Sequence, residues 1–204
     1  MEAAAFSAAW RAGHRDAQCG RLPDTTARVR DAAHRLGLAA PEARLRRVAA
    51  NEERTLVEAT TLYPDTLPAL EALLRAPGIP LGLVSNASPA AEALLDSLGL
   101  RRFFAATAWS CRVGTLKPDP AIYRAACKAL GVEPHRCLFV GDGNARELDG
   151  AQALGMLAVR ITRIMSLPSY AAESSRAWDV AIDDLREVPQ LLEAAGAGPG
   201  APSR

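Results

Sequence analysis

From residue 63 onward, short apolar runs alternate with stretches of helical period, and no other feature narrows the folds open to the chain as much. The runs fall at 79–84, 104–109, 137–140, 157–161 and 180–182. Each has strand length and is bounded by turn or helix signals. A stripe of Leu67, Leu70, Leu73 and Leu74 precedes the first run, and Pro77-Gly78 stops that helix. Ser88-Pro89 reads as the next helix start, with the Ser88 hydroxyl as N-cap, Leu94, Leu95 and Leu98 on the buried side and Gly99 at the end. Asp119-Pro120 opens a helix that closes near Gly131, and another spans 145–154. Parallel strands need a long crossover, usually a helix, to return the chain to the same edge. The expectation is therefore an α/β fold: a Rossmann-like parallel sheet with helices on both faces.

Residues 1–62 carry helical signals only. Phe6 and Trp10 lie four apart on one face of an Ala-rich stretch over 2–19, Asp24 can cap a second helix bearing Val29, Ala33 and Leu36, and a third over 41–59 presents Leu45, Val48, Ala49 and Leu56. The expected organisation is a helical bundle over 1–62, an α/β core over 63–190, and a helix end with a flexible Gly/Pro tail over 191–204. Lys+Arg 24 against Asp+Glu 23 leaves a net charge of +1, without the basic excess of a nucleic-acid binder. No apolar stretch approaches the roughly 18 residues that span a bilayer, and the N-terminal stretch lacks the pattern of a signal peptide. Cys19, Cys111, Cys127 and Cys137 are widely spaced with no CxxC pair, which argues against a zinc site or a disulfide framework. Reduced thiols and a cytoplasmic location are the expectation.

In parallel α/β sheets, ligands sit beyond the carboxyl ends of the strands. The first strand delivers Ser85 and Asn86 to that edge. Lys117 stands in "GTLKPDP", just ahead of a helix start, and "VGDGNARELDGA" places Asp142 at a strand tip with Glu147 five residues later. Taken singly these are ordinary: a turn serine, a solvated lysine, an aspartate between two glycines, an exposed helix glutamate. Together, a hydroxyl, an ammonium and two carboxylates at one edge suit phosphoryl transfer. The hydroxyl and backbone amides hold a phosphoryl oxygen, the lysine neutralises its charge, and the carboxylates position Mg²⁺, a hard cation that prefers oxygen. His14, His34 and His135 are scattered, and Trp10, Trp109 and Trp178 read as packing residues.

The segments "LGLVSNAS", "GTLKPDPAIYRAACKALGVEP" and "CLFVGDGNARELDGAQALGM" resemble, in order, the second, third and fourth motifs of haloacid dehalogenase-like hydrolases. The likeness extends over about residues 1–185, with the N-terminal bundle as a helical cap. It implies phosphate binding by Ser85, the motif lysine at Lys117, a metal pair at Asp142 and Glu147, and a solvent-facing Asp149. It also implies Mg²⁺ as cofactor and a small phosphorylated metabolite as substrate, cleaved through an aspartyl-phosphate.

That family's first motif, an Asp-x-Asp at the end of the central strand, has no counterpart in these 204 residues. The resemblance therefore implies a missing first strand and nucleophile, a natural protein that continues upstream of Met1, and a chain that is by itself inactive or nearly so and marginal in stability. Two alternatives accompany it. One is a 2-haloacid dehalogenase, which needs no metal; the other is a non-catalytic anion-binding or regulatory protein of the same fold. A phosphomutase uses the same intermediate and is not separable by sequence.

Overall fold

The computed structural model describes residues 3–163 and 174–194. The Gly/Pro tail expected at the C-terminus lies outside the described residues. Those described fall into two compact units, one drawn from residues up to Thr61 with Ser85–Arg101 and Trp109–Leu116, the other from Leu62–Val84, Arg102–Ala108 and Lys117 onward.

The first unit is helical. It contains α1 (Ala3–Ala12), α2 (His14–Gln18), α3 (Thr25–Arg35), α4 (Glu42–Ala59), α6 (Ala90–Ser97) and α7 (Ser110–Val113). The helix expected over 2–19 is broken at Gly13, where a Cβ would lie 2.7 Å from Asp31 Oδ2. Asp24 caps α3 as expected, accepting from Ala27 N at 2.7 Å. Val29, Leu45 and Ala49 form the core, with Trp10 and Val48 packed against it. Phe6 stacks on Trp10 at 5.9 Å, and the Arg28 guanidinium lies 3.9 Å above the Trp10 ring. Leu56, expected on the apolar side of α4, is exposed.

The second unit carries the sheet. It contains α5 (Thr66–Arg75), α8 (Pro120–Leu130), β3 (Leu138–Gly141), α9 (Glu147–Gln152), β4 (Leu157–Ile161), β5 (Val180–Ile182) and α10 (Val188–Ala194), with most of β1 (Gly82–Ser85) and β2 (Ala106–Trp109). Strands β3, β4 and β5 are parallel, with Leu138 opposite Leu157 and Val159 opposite Val180. Strands β1 and β2 pair separately, so the described strands form a two-stranded and a three-stranded sheet. Among the described residues nothing pairs with the second edge of β1 or of β3. Burial agrees: β4 is mostly buried, whereas every residue of β3 stays partly exposed. Leu73, Val159, Ile161, Ile182 and Val188 form the core of this unit. Leu74, expected in the α5 stripe, is exposed. Among the described residues no helix is long and apolar enough to cross a membrane.

Asp65 ties the start of α5 to the far end of the chain. Its carboxylate is 3 % exposed, accepts from Leu185 N at 2.7 Å and pairs with Arg163. The Arg163 guanidinium also lies 4.6 Å over the Tyr63 ring. Burial pushes the Asp65 carboxyl up, but the bonds from Arg163 and Leu185 outweigh it and hold the group below the usual carboxylate range. A carboxyl lowered in the folded state stabilises fully above its unfolded pKa and loses that contribution as pH falls through the folded one. Asp65→Asn should therefore flatten the acid limb of a urea-midpoint profile below pH ~4. An unchanged acid slope would contradict this.

Candidate active site

The acidic loop owes its shape to three successive departures from ordinary backbone. After β3 ends at Gly141, Gly143 takes φ +90°, and Ala145 and Arg146 take φ +52° and +51°. Left-handed non-glycine residues cost on the order of 1–3 kcal/mol each and persist where packing over-determines them. Here the turn starts α9 at Glu147 and folds its carboxylate back over the strand end. Glu147 Oε1 accepts from Gly143 N at 3.1 Å. A Cβ at Gly141 would collide with that oxygen, so glycine is required there.

Lys117 arrives from the opposite direction. Asp119 caps α8 by accepting from Ala121 N at 2.8 Å, with Pro120 at the first turn, as the sequence leads one to expect. The Lys117–Pro118 peptide is cis. The Lys117 ammonium pairs with Glu147 Oε2 and donates to the Val84 carbonyl at 3.5 Å. The two side chains are 12 % and 6 % exposed. The loop sits close to α9 because residue 150 is glycine: a Cβ there would lie 2.7 Å from the Tyr123 hydroxyl and 2.8 Å from the Pro118 carbonyl. Tyr123 is fully buried and donates to the Glu147 carbonyl at 2.8 Å.

Burial pushes the Glu147 carboxyl up. The Lys117 ammonium pulls it down, the neighbouring Asp142 adds to the rise, and the net direction is upward. Burial, reinforced by the negative charge of Glu147, likewise raises the Tyr123 phenol. Asp142 accepts from Asn144 N and Asn144 Nδ2, both at 2.9 Å. Asn144 Oδ1 is buried without a hydrogen-bond partner. Among the described residues no three His, Cys, Asp or Glu side chains cluster as metal ligands. The chemistry of the loop still fits a hard cation, since Asp142 and the orphaned Asn144 Oδ1 offer oxygen donors only.

Ser85, the last residue of β1, and Asn86, which follows it, lie in the other unit, and both are half-buried. The Asn86 carbonyl accepts from Gln18 Nε2 at 3.0 Å. Ala87 N donates to Ser110 Oγ at 2.9 Å, and the Ser110 hydroxyl contacts the Ala87 carbonyl at 3.3 Å. Ser110 is fully buried. The expected Ser88 cap is not the one observed: Pro89 occupies the N-cap position of α6, and a proline side chain offers no hydrogen-bonding atom. Asp149 also departs from expectation. It faces inward enough to accept from Arg146 Nε at 2.8 Å and Arg176 N at 2.9 Å.

The structure thus brings Lys117, Asp142 and Glu147 together within one unit. Sequence reasoning missed Gln18, Ser110, Tyr123 and Asn144. None sits in a motif that signals its partner, although Tyr123 and Asn144 lie inside the quoted segments. Gly141 and Gly150 were the available signals of close approach.

A profile of haloacid dehalogenase-like hydrolases matches residues 2–155. The chain belongs to that family. It is 35% identical over 132 residues to a glyceraldehyde 3-phosphate phosphatase of Methanopyrus kandleri, covering 58% of this chain and 56% of that protein. It therefore spans little more than half the length of that relative. The crystal structure of a HAD phosphatase from Thermococcus onnurineus superposes with a TM-score of 0.62 at 28% identity, covering 79% of this chain and 68% of that one. A 2-haloacid dehalogenase from Pseudomonas syringae shares the fold, with a TM-score of 0.71 at 22% identity over 96% of this chain and 82% of that one. The mixed α/β architecture with parallel strands agrees with that expected from the alternating pattern.

Two substitutions test the packing behind the ion pair. Tyr123→Phe removes the phenol's buried bond to the Glu147 carbonyl and should cost about 1 kcal/mol. Gly150→Ala forces the Pro118 loop from α9 and should cost about 1–3 kcal/mol. Urea denaturation reads both, and wild-type stability in either variant would show the contact to be slack.

Proposed function

We propose that this chain is the anion-binding and cap-bearing part of a Mg²⁺-dependent phosphatase of small phosphorylated metabolites. The observation that carries the reading is the buried Lys117 ammonium, set between the Val84 carbonyl and the Glu147 carboxylate. A fixed cation of this kind neutralises phosphoryl charge during transfer. The resemblance of "LGLVSNAS" to the family's second motif assigns Ser85 and Asn86 to the phosphoryl oxygens. Asp142 and Glu147, with Asn144 Oδ1, would hold Mg²⁺, which when bound supplies charge neutralisation for the transferring group. Likeness to a glyceraldehyde 3-phosphate phosphatase supports a phosphomonoester of a small metabolite as substrate.

The reaction needs a carboxylate nucleophile, and no Asp-x-Asp occurs in these 204 residues. We assign it to a strand lying between β1 and β3. Both strands keep an unpaired edge among the described residues. One ammonium contacts both the end of β1, at the Val84 carbonyl, and a carboxylate bound just past β3. The chain alone then binds phosphate but turns it over near background. The same missing motif favours a second reading, a non-catalytic anion-binding protein of this fold. The acidic pair Asp142 and Glu147 speaks against a metal-free dehalogenase.

The test starts with melting of the 204-residue chain in inorganic phosphate and Mg²⁺. The wild type should be stabilised, and Lys117→Ala and Asp142→Asn should each weaken the apparent affinity by about tenfold or more. An added upstream strand ending in Asp-x-Asp should confer Mg²⁺-dependent hydrolysis of p-nitrophenyl phosphate. Undiminished phosphate affinity in Lys117→Ala would sink the site. Binding without hydrolysis in the extended chain would favour the non-catalytic reading. Chloride release from 2-chloropropionate without Mg²⁺ would favour the dehalogenase.

A further inference from the structure

The four cysteines are free, as their spacing leads one to expect, yet two of them meet. Cys127, on the last turns of α8, and Cys137, immediately ahead of β3, have their sulfurs 3.8 Å apart, and both are free. A disulfide needs about 2.05 Å between sulfurs, so closure asks for a movement of under ~2 Å. The backbone around the pair is tied down. Val132 N donates to the Cys127 carbonyl at 3.0 Å, Cys137 N to Pro134 O at 2.9 Å, and Leu157 N to the Cys137 carbonyl at 3.0 Å. The proximity is therefore built into the helix end and the strand start.

Access is also present. Cys137 is half-exposed. Cys127, although buried, contributes to the wall of an open cleft of about 740 Å³ with Arg124, Lys128, Glu133 and His135. Two exposed cations against one carboxylate make that cleft attractive to small anionic reagents.

We propose that Cys127 and Cys137 are a reversible thiol–disulfide site, oxidised by anionic small-molecule disulfides of the glutathione class. The Cys137 thiolate attacks one sulfur of the reagent, breaking its S–S bond and releasing one thiolate. Cys127, as thiolate, then attacks the Cys137 sulfur of the mixed disulfide, expelling the second. The two protein thiols lose two electrons and two protons, and the reagent becomes two thiols. Cys127 is buried and Cys137 half-exposed, so the external reagent meets Cys137 first and the second attack, within the protein, falls to Cys127.

The crosslink closes a short loop and clamps α8 to β3. Both elements reach the candidate active site by their opposite ends, since Lys117 precedes α8 and Asp142 follows β3. An 11-residue helix is about 16 Å long, so the clamp acts on stability and leaves phosphate binding unchanged. This proposal does not rest on the phosphatase reading.

The experiment treats the whole chain with oxidised glutathione, blocks residual thiols, and follows intact mass, tryptic map and melting temperature. We expect loss of about 2 Da, a crosslink between the Ala125–Lys128 and Cys137–Arg146 peptides, a melting rise of roughly 5–10 °C and full reversal by dithiothreitol. Cys137→Ser should abolish the mass loss and the rise. A Cys127→Ser/Cys137→Ser double variant, checked for folding by circular dichroism, provides the non-oxidisable baseline. Crosslinks through Cys19 or Cys111, a lasting glutathione adduct at Cys137, or a Cys127–Cys137 bond that leaves melting unchanged would each overturn the proposal.

Discussion

The buried pair of Lys117 and Glu147 is the constraint to which the second unit answers. An ammonium and a carboxylate taken out of water lose several kcal/mol of hydration each, and their attraction offsets this only if the geometry is held closely. The surroundings supply that hold. Gly141 leaves room for the carboxylate, Gly143 N donates to it, and Gly150 lets the Lys117–Pro118 loop approach α9. The buried Tyr123 anchors the Glu147 backbone from α8. Even the left-handed conformations of Ala145 and Arg146 are intelligible here, since they start α9 with Glu147 aimed back at the strand end. Removing either charge would leave the other buried alone, so the pair and its packing stand or fall together.

The same ammonium relates the two halves of the divided sheet. Its bond to the Val84 carbonyl reaches β1, and its partner Glu147 is fixed just beyond β3. In a continuous parallel sheet those strand edges would be satisfied by a neighbour's backbone. Their present condition agrees with the exposure along β3. The proposed nucleophile strand satisfies two demands at once: it would pair the open edges and bring the one reactive group that the motif set lacks.

Much of the molecule could be read from the order of residues. The strands at 157–161 and 180–182 coincide with β4 and β5, the Asp24 and Asp119 caps form as their positions imply, and the three motifs fall at the strand and helix ends expected of them. Misreadings cluster where local rules compete with packing. The Ala-rich N-terminal stretch has helical propensity throughout, yet breaks at Gly13 where Asp31 approaches. Ser88 has the right chemistry for a cap, but α6 starts after Pro89. Asp149 looks like one more surface carboxylate, but Arg146 and the backbone of Arg176 converge on it.

What sequence alone determined is whatever depends on near neighbours: helix and strand periods, caps, turns, and the identity and order of the candidate groups. Tertiary structure alone decided which of them meet. Lys117 and Glu147 are thirty residues apart, Gln18 and Asn86 sixty-eight, Asp65 and Leu185 one hundred and twenty. The Cys127–Cys137 contact, only ten residues apart, also escaped the spacing rules because a helix end and a strand start turn both sulfurs the same way. The physical reason is common to all of them. Period and capping act over one or two turns of chain, whereas contacts across a core are set by how whole elements pack, and no short segment carries that information.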